Sequence, residues 1–174
     1  MATGSIPLLI AAATPPDGTT NNAAPSTQRV KTSASAPTPY FLQAAFDATT
    51  KEQLTWSWRM PANYASGLTV KVTYKMASAT TGGVVIEARV AAISPGDATD
   101  ADAKAFGSAN TSSTSTVPGT AGHEAEISLA VANNDSLAPG DHVVFYLARD
   151  PGAGGDTAAG DMEIVAVSLD YTTT

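Results

Sequence analysis

Leu68-Thr69-Val70-Lys71-Val72-Thr73-Tyr74-Lys75-Met76 alternates without a break. In an extended chain Leu68, Val70, Val72, Tyr74 and Met76 fall on one side, and Thr69, Lys71, Thr73 and Lys75 on the other. Successive strand side chains point to opposite faces. The stretch therefore reads as a strand with one buried and one wetted face, as in an antiparallel sheet that covers a core on one side. The same period recurs around it. Leu54, Trp56, Trp58 and Met60 alternate with Thr55, Ser57 and Arg59. Val84, Ile86, Ala88 and Val90 share a face, with Glu87 and Arg89 opposite, and Ile127, Leu129 and Val131 alternate with Glu126, Ser128 and Ala130. Residues 143–148 and 164–169 are almost continuously apolar, as expected of strands covered on both sides or lying in a protein interface. Residues 40–46 form a further candidate strand of weaker alternation.

Turn signals separate these runs: Ala65-Ser66-Gly67, Thr81-Gly82-Gly83, Ser94-Pro95-Gly96-Asp97, Pro118-Gly119, Ala138-Pro139-Gly140-Asp141 and Gly152-Ala153-Gly154-Gly155. Short strands with such punctuation predict an all-β fold, an antiparallel β-sandwich or jelly roll. Residues 100–106 offer the one candidate short helix. The Ser/Thr-rich residues 108–116 read as a long loop or a polar edge strand. Residues 1–39 are different in kind. They are rich in Ala, Thr, Ser, Pro and Asn and carry too few large apolar residues to offset the entropy of ordering the backbone. They are expected to form an extended N-terminal arm, with the domain occupying residues 40–174. Ile6, Leu8, Leu9 and Ile10 make one apolar patch on that arm and are its candidate partner-binding residues. Pro7 interrupts the patch and the first basic residue is Arg29, so it is not expected to be a secretory signal.

The chain has 174 residues, a formal net charge of −7 and no cysteine. That length buries a sizeable core unaided, and a cysteine-free chain has neither disulfides nor thiolate metal ligands. An acidic chain without basic clusters lacks what phosphate backbones require, so nucleic acid is not an expected partner. No stretch is long and apolar enough to suggest a membrane span. Only 14% of residues are charged, so Thr, Ser, Asn and Gly must supply much of the polar surface.

No set of residues announces a catalytic centre. His123 and His142 start predicted strands and read as surface histidines, and no serine sits in a nucleophile elbow. Glu87, Glu124, Glu126 and Glu163 fall on predicted solvent faces or strand starts without a legible pair. Asp97, Asp100 and Asp102 share one loop, and Asp150, Asp156 and Asp161 bracket a Gly-rich one. Calcium takes six to eight oxygen ligands, but neither spacing matches an EF-hand. The expectation is no cofactor, with Ca2+ as the one ion these loops could take. Trp56 and Trp58 share the apolar face of Leu54 and Met60, which places them in the core and not on a sugar platform.

Several motifs occur in an order that resembles a known module. They are Gly67-Leu68-Thr69-Val70-Lys71-Val72-Thr73-Tyr74-Lys75, Ala91-Ala92-Ile93-Ser94-Pro95-Gly96-Asp97, Val117-Pro118-Gly119-Thr120-Ala121-Gly122, Ser136-Leu137-Ala138-Pro139-Gly140-Asp141 running into residues 143–150, and Asp156-Thr157-Ala158-Ala159-Gly160-Asp161. Together they resemble a small β-sandwich or jelly-roll module that recurs among structural genes of tailed bacteriophages, over roughly three-fifths of the chain. The resemblance implies a non-enzymatic virion component, and it brings no catalytic residues to carry over. It implies a capsid cement (decoration) protein on the outer surface of the head, bound to the major capsid protein and self-associated as a homotrimer. The alternative is a fibre or adhesin module that binds a host-surface glycan. Exposed aromatics in the loops would favour that reading, and the loops offer only Phe106, which argues against it.

Overall fold

Leu68, Val70, Val72, Tyr74 and Met76 are each at most 2% exposed, and the strand that carries them, β5 (Tyr64–Met76), is a central strand of the larger of two sheets. The structure is a computed structural model that describes residues 2–174. The remaining strands are β1 (Thr3–Pro7), β2 (Ser26–Lys31), β3 (Tyr40–Phe46), β4 (Gln53–Arg59), β6 (Gly83–Val84), β7 (Ile86–Ile93), β8 (Asn110–Thr111), β9 (Ser115–Thr116), β10 (Ala125–Ala130), β11 (His142–Arg149) and β12 (Met162–Thr173). The larger sheet runs β10-β5-β12-β3-β2, with β1 also paired to β12; the smaller runs β4-β11-β7-β8, and β6 and β9 form a separate short ribbon. The ladders between these strands are antiparallel, so the fold is the all-β antiparallel sandwich that the periodicity predicts.

One continuous apolar cluster joins the sheets. Phe145, at the middle of β11, stands in register with Trp56 on β4 and Val90 on β7, and all three are buried. Trp56 is in the core as expected, and its indole N–H donates to the Leu9 carbonyl at 2.9 Å. Trp58 packs partly buried against the same cluster, its ring 6.3 Å from that of Phe145. The expected helix at 100–106 reduces to one 3-10 turn, Ala101–Ala103, capped by the Asp100 side chain accepting from the Asp102 amide. The Ser/Thr-rich stretch resolves into loop plus the two-residue strands β8 and β9.

The N-terminal segment expected as an arm over residues 1–39 is extended, and it packs along the domain expected over residues 40–174. β1 lies antiparallel on β12, from Thr3 opposite Thr172 to Pro7 opposite Ser168. The chain then crosses to the smaller sheet, where Leu8 and Ile10 enter the core at 5% and 8% exposure. Thr14 bridges Thr55 and Ala23 bridges Glu52, so this stretch runs along the outer edge of β4. It returns as β2, which pairs with β3 at the edge of the larger sheet. The reason is local and steric as well as apolar. Gly4 lies directly opposite Tyr171, and a Cβ at Gly4 would come within 2.2 Å of the Tyr171 ring. The missing side chain lets β1 close onto β12. The two ends of the chain meet there: the Thr173 amide and hydroxyl both donate to the Ala2 carbonyl, at 3.0 and 3.1 Å.

If Leu8 and Ile10 anchor this segment, Leu8→Ala and Ile10→Ala should each lower unfolding free energy by about 2–3 kcal/mol, the lower part of the range for large-to-small core changes. Urea unfolding measures this. Unchanged stability in both would restore a detached arm.

Candidate functional site

Two surface regions bring together residues that could recognise a partner. The first is apolar and contains the residues singled out in the sequence. One edge of β12 is shared between two neighbours. β3 takes it at Met162–Ile164 and β1 at residues 168–172, with an irregularity in the β12 ladder between Ile164 and Ala166. A groove of about 360 Å3 opens at the handover, lined by residues 7–11, by Phe41 and Leu42 of β3, and by Val165, Ala166 and Val167. The four candidate residues separate here. Leu8 and Ile10 are core, Ile6 is packed against the core, and Leu9 is 62% exposed beside the groove. Of the four candidate partner-binding residues, Leu9 is the one whose large apolar side chain stands exposed. The sequence reading missed the β3 contribution. Tyr40 and Leu42 have the same strand parity as the buried Ala44 and Phe46, yet they are 54% and 37% exposed. The strand runs past the end of the core, and only β2 pairs with this part of it.

The second region is polar and lies on the outer face of the smaller sheet. Residues 53, 87, 89 and 146 point outward there because their neighbours Leu54, Ala88, Val90, Phe145 and Leu147 are in the core. In register, Gln53, Ala148 and Glu87 make one cross-strand row, and Thr55, Tyr146 and Arg89 the next. Asn21, Asn22, Lys51 and Phe106 complete a cleft of about 390 Å3. Glu87 is not on a solvent face as expected, being 5% exposed. Lys51 binds one of its oxygens at 2.6 Å and the Arg89 Nε the other at 2.7 Å, while Lys51 also reaches Asp150 at 3.4 Å. Burial opposes the charge on Glu87, but Lys51 and Arg89 outweigh it and hold the carboxyl below its ordinary value. Burial, helped by the negative charge of Glu87, pushes the Tyr146 hydroxyl up to about 12, so it stays a protonated donor across the physiological range. Phe106 meets the Tyr146 ring edge-on at 5.6 Å, and the Arg89 guanidinium lies 5.9 Å from the same ring centre. Gln53 donates to the Asn22 side-chain oxygen at 3.1 Å. The charges in this cleft are mutually engaged, with its one carboxylate, Glu87, held by Lys51 and Arg89, which suits hydrogen bonding to a neutral ligand better than proton transfer.

Glu163 also departs from its expected solvent position: it pairs with Lys75, its side chain is 12% exposed, and Gln43 donates to it at 2.8 Å. Of the aspartates considered as calcium ligands, Asp100 caps the 3-10 turn, Asp150 faces Lys51, and Asp156 is committed to an internal ion pair. Asp156 takes the buried Arg149 guanidinium at 2.7 Å, with side-chain exposures of 1% and 0%. Arg149 also donates to the Gly160 and Ala158 carbonyls, and Asp156 accepts from the Val85 amide. This pair ties the Gly-rich loop to the end of the sandwich. Among the described residues no three His, Asp or Glu side chains converge as a metal site would need. His123 and His142 are both exposed.

No family model matches the chain, and no curated protein matches it. Solved structures that it resembles include the CBM22-1 and GH10 modules of the Clostridium thermocellum endo-1,4-β-D-xylanase Xyn10B (TM-score 0.48, 12% identity, 86% of this chain), of whose length this chain spans about a quarter. Another is the CBM35 module from Cellvibrio japonicus Abf62 (TM-score 0.46, 10% identity, 98% of this chain and 99% of that one). A third is infectious bursal disease virus strain Gx (TM-score 0.45, 8% identity, 99% of this chain and 32% of that one).

Three outcomes are expected. Glu87 is depressed in the folded protein, so its contribution is fully present above the ordinary value of 4.5 and is lost as pH falls through the lower folded value. Glu87→Gln should therefore be less stable than the parent at neutral pH, by about 1–2 kcal/mol. The gap should close in strong acid, where Glu87 protonates in the parent too; a pH-independent gap in urea unfolding would contradict the ion-pair account. Asp156→Asn, which strands a buried guanidinium, should cost about 3–5 kcal/mol. Adding about 1 mM Ca2+ should leave the parent's melting temperature unchanged.

Proposed function

We propose that this is a non-enzymatic structural protein of a tailed-phage virion, a capsid cement protein that binds the outer surface of the head. The phage assignment rests on the sequence resemblance. The structural observation that carries the docking role is the grouping of the exposed apolar side chains. Leu9 and Leu42 wall the groove beside β12, and Tyr40 lies two residues along the same face of β3. Scattered single apolar residues on a surface need no explanation, whereas a grouped patch against a groove marks an interaction site. Major capsid protein is the partner in this reading, and self-association as a homotrimer belongs to it by the same resemblance.

A second reading has its own observation. Phe106 stands over the polar cleft with the amides of Asn21, Asn22 and Gln53 around it. An aromatic edge with amide donors and acceptors fits the apolar face and hydroxyls of a sugar, as a fibre or adhesin module would require.

The two readings separate in one pair of assays. In the cement reading the purified protein binds phage heads that lack it, saturably, and Leu9→Asp with Leu42→Asp weakens that binding by about tenfold or more. Phe106→Ala leaves it unchanged. Binding to purified host-surface polysaccharide that Phe106→Ala abolishes, with no binding to heads, would replace the cement reading by the glycan one.

A further inference from the structure

We propose that the projecting end of the β2–β3 hairpin docks on an acidic protein surface of the head shell, with Arg29 and Lys31 supplying the charge and Tyr40 and Leu42 the apolar contact. The inference rests on the docking role above and names the chemistry of the partner.

The hairpin register puts these four residues together. Arg29 stands opposite Leu42 and Lys31 opposite Tyr40, and directly opposed residues in an antiparallel pair share a face. That face is the core-facing one, since Ala44 and Phe46 continue it into the interior. Beyond residue 44 toward the hairpin end β12 no longer pairs with β3, and Tyr40 and Leu42 are exposed there. Two apolar and two cationic side chains are left on an open surface.

The charges are the unusual part. The chain has nine basic residues and a net charge of −7. Lys51, Lys71, Lys75, Arg89, Lys104 and Arg149 each have a carboxylate partner within the chain, at 4.0 Å or less. Arg29, Lys31 and Arg59 have none among the described residues. Arg59 is spent on the Gly140 carbonyl at 3.1 Å. Arg29 and Lys31 are exposed in a chain whose surplus charge is negative. Arg29 lies 5.4 Å from the centre of the Tyr40 ring. Stacking on an aromatic ring leaves the planar N–H fork free for a carboxylate.

Charged residues on an edge strand also deter edge-to-edge aggregation. That role needs charge at the edge, and it does not call for two uncovered apolar side chains across from it. Nor does the surface suit nucleic acid, since two cations on a strongly acidic body offer few phosphate contacts. What fits is a surface whose carboxylates surround an apolar side chain able to enter the groove beside Leu42. An acidic partner is repelled by most of this molecule, so the hairpin selects both the site and the orientation of contact.

The test uses the full chain and heads of the encoding phage assembled without it. Arg29→Gln with Lys31→Gln should weaken head binding about tenfold at about 50 mM NaCl, and the difference should shrink at about 500 mM NaCl. Thr120→Glu with Ala121→Glu makes the same change in net charge in the loop leading into β10, at the opposite edge of the larger sheet. That control should bind within about twofold of the parent at both salts. Circular dichroism melting establishes that both variants fold. If the parent binds and the Arg29/Lys31 variant binds equally at both salts, the acidic-partner inference fails while the docking role stands. If the parent does not bind heads, the docking role fails first. If the variant changes only self-association, measured by sedimentation equilibrium, the occupant is a second copy and the proposal is overturned.

Discussion

Two sheets of unequal width have to enclose one core, and much of the surface follows from how the difference is filled. The smaller sheet is four strands across, and the larger has six. β4 is an edge strand of the smaller sheet, and the N-terminal segment links it to the larger sheet. It adds β1 to β12, inserts Leu8 and Ile10, follows the rim of β4 through Thr14 and Ala23, and rejoins the larger sheet as β2. Both candidate surfaces depend on this route. Leu9 is exposed because Leu8 and Ile10 on either side of it are buried, and Asn21 and Asn22 wall the polar cleft because the strap passes there. Where the strap ends, the β2–β3 hairpin extends past the covered area, and its core-facing side is left open.

The buried polar groups follow a related logic. A low charge content means that each ion pair has a specific duty. Arg149 ends the apolar run of residues 143–148 at zero exposure, where an unpaired guanidinium would be intolerable. Asp156 and two backbone carbonyls satisfy it, and in doing so hold a loop too rich in glycine to order itself. Glu87 is held between Lys51 and Arg89 in the same manner, on a sheet face that the strap has partly closed to water. Such pairs add modestly to net stability, but removing one member is costly.

The parts of the fold that were legible from sequence are those whose pattern is set by the layer beneath them. Residues 54–60 and 68–76 alternate because one side meets the core, and each lies within or closely overlaps the strand found there, whereas 40–46 forms its strand with both faces buried from Gln43 onward. β1 and β2 were not legible for the opposite reason. β2 is exposed along nearly its whole length, so its composition carries no core signal, and its structure comes from hydrogen bonding to β3. Glu87 reads as solvent-facing because alternation points it away from the core, and nothing in the local sequence says that residues 14–23 will approach it. Tyr40 and Leu42 mislead in the other direction. They carry the core parity of β3, and only the reach of the second sheet shows that the core stops before them. Arg149 did leave a trace: a cation closing the apolar run 143–148, with an aspartate seven residues on.

The hydrogen bonds between Thr173 and Ala2 have a topological consequence. Because the first and last strands lie side by side, the polypeptide path is nearly a closed ring. A short linker joining the two ends would complete that ring without displacing either strand, and the chain could then be opened at another loop as a circular permutant. For the same reason, anything fused at either end would leave from one pole of the sandwich. Cargo attached there would project from a single point whichever end carried it.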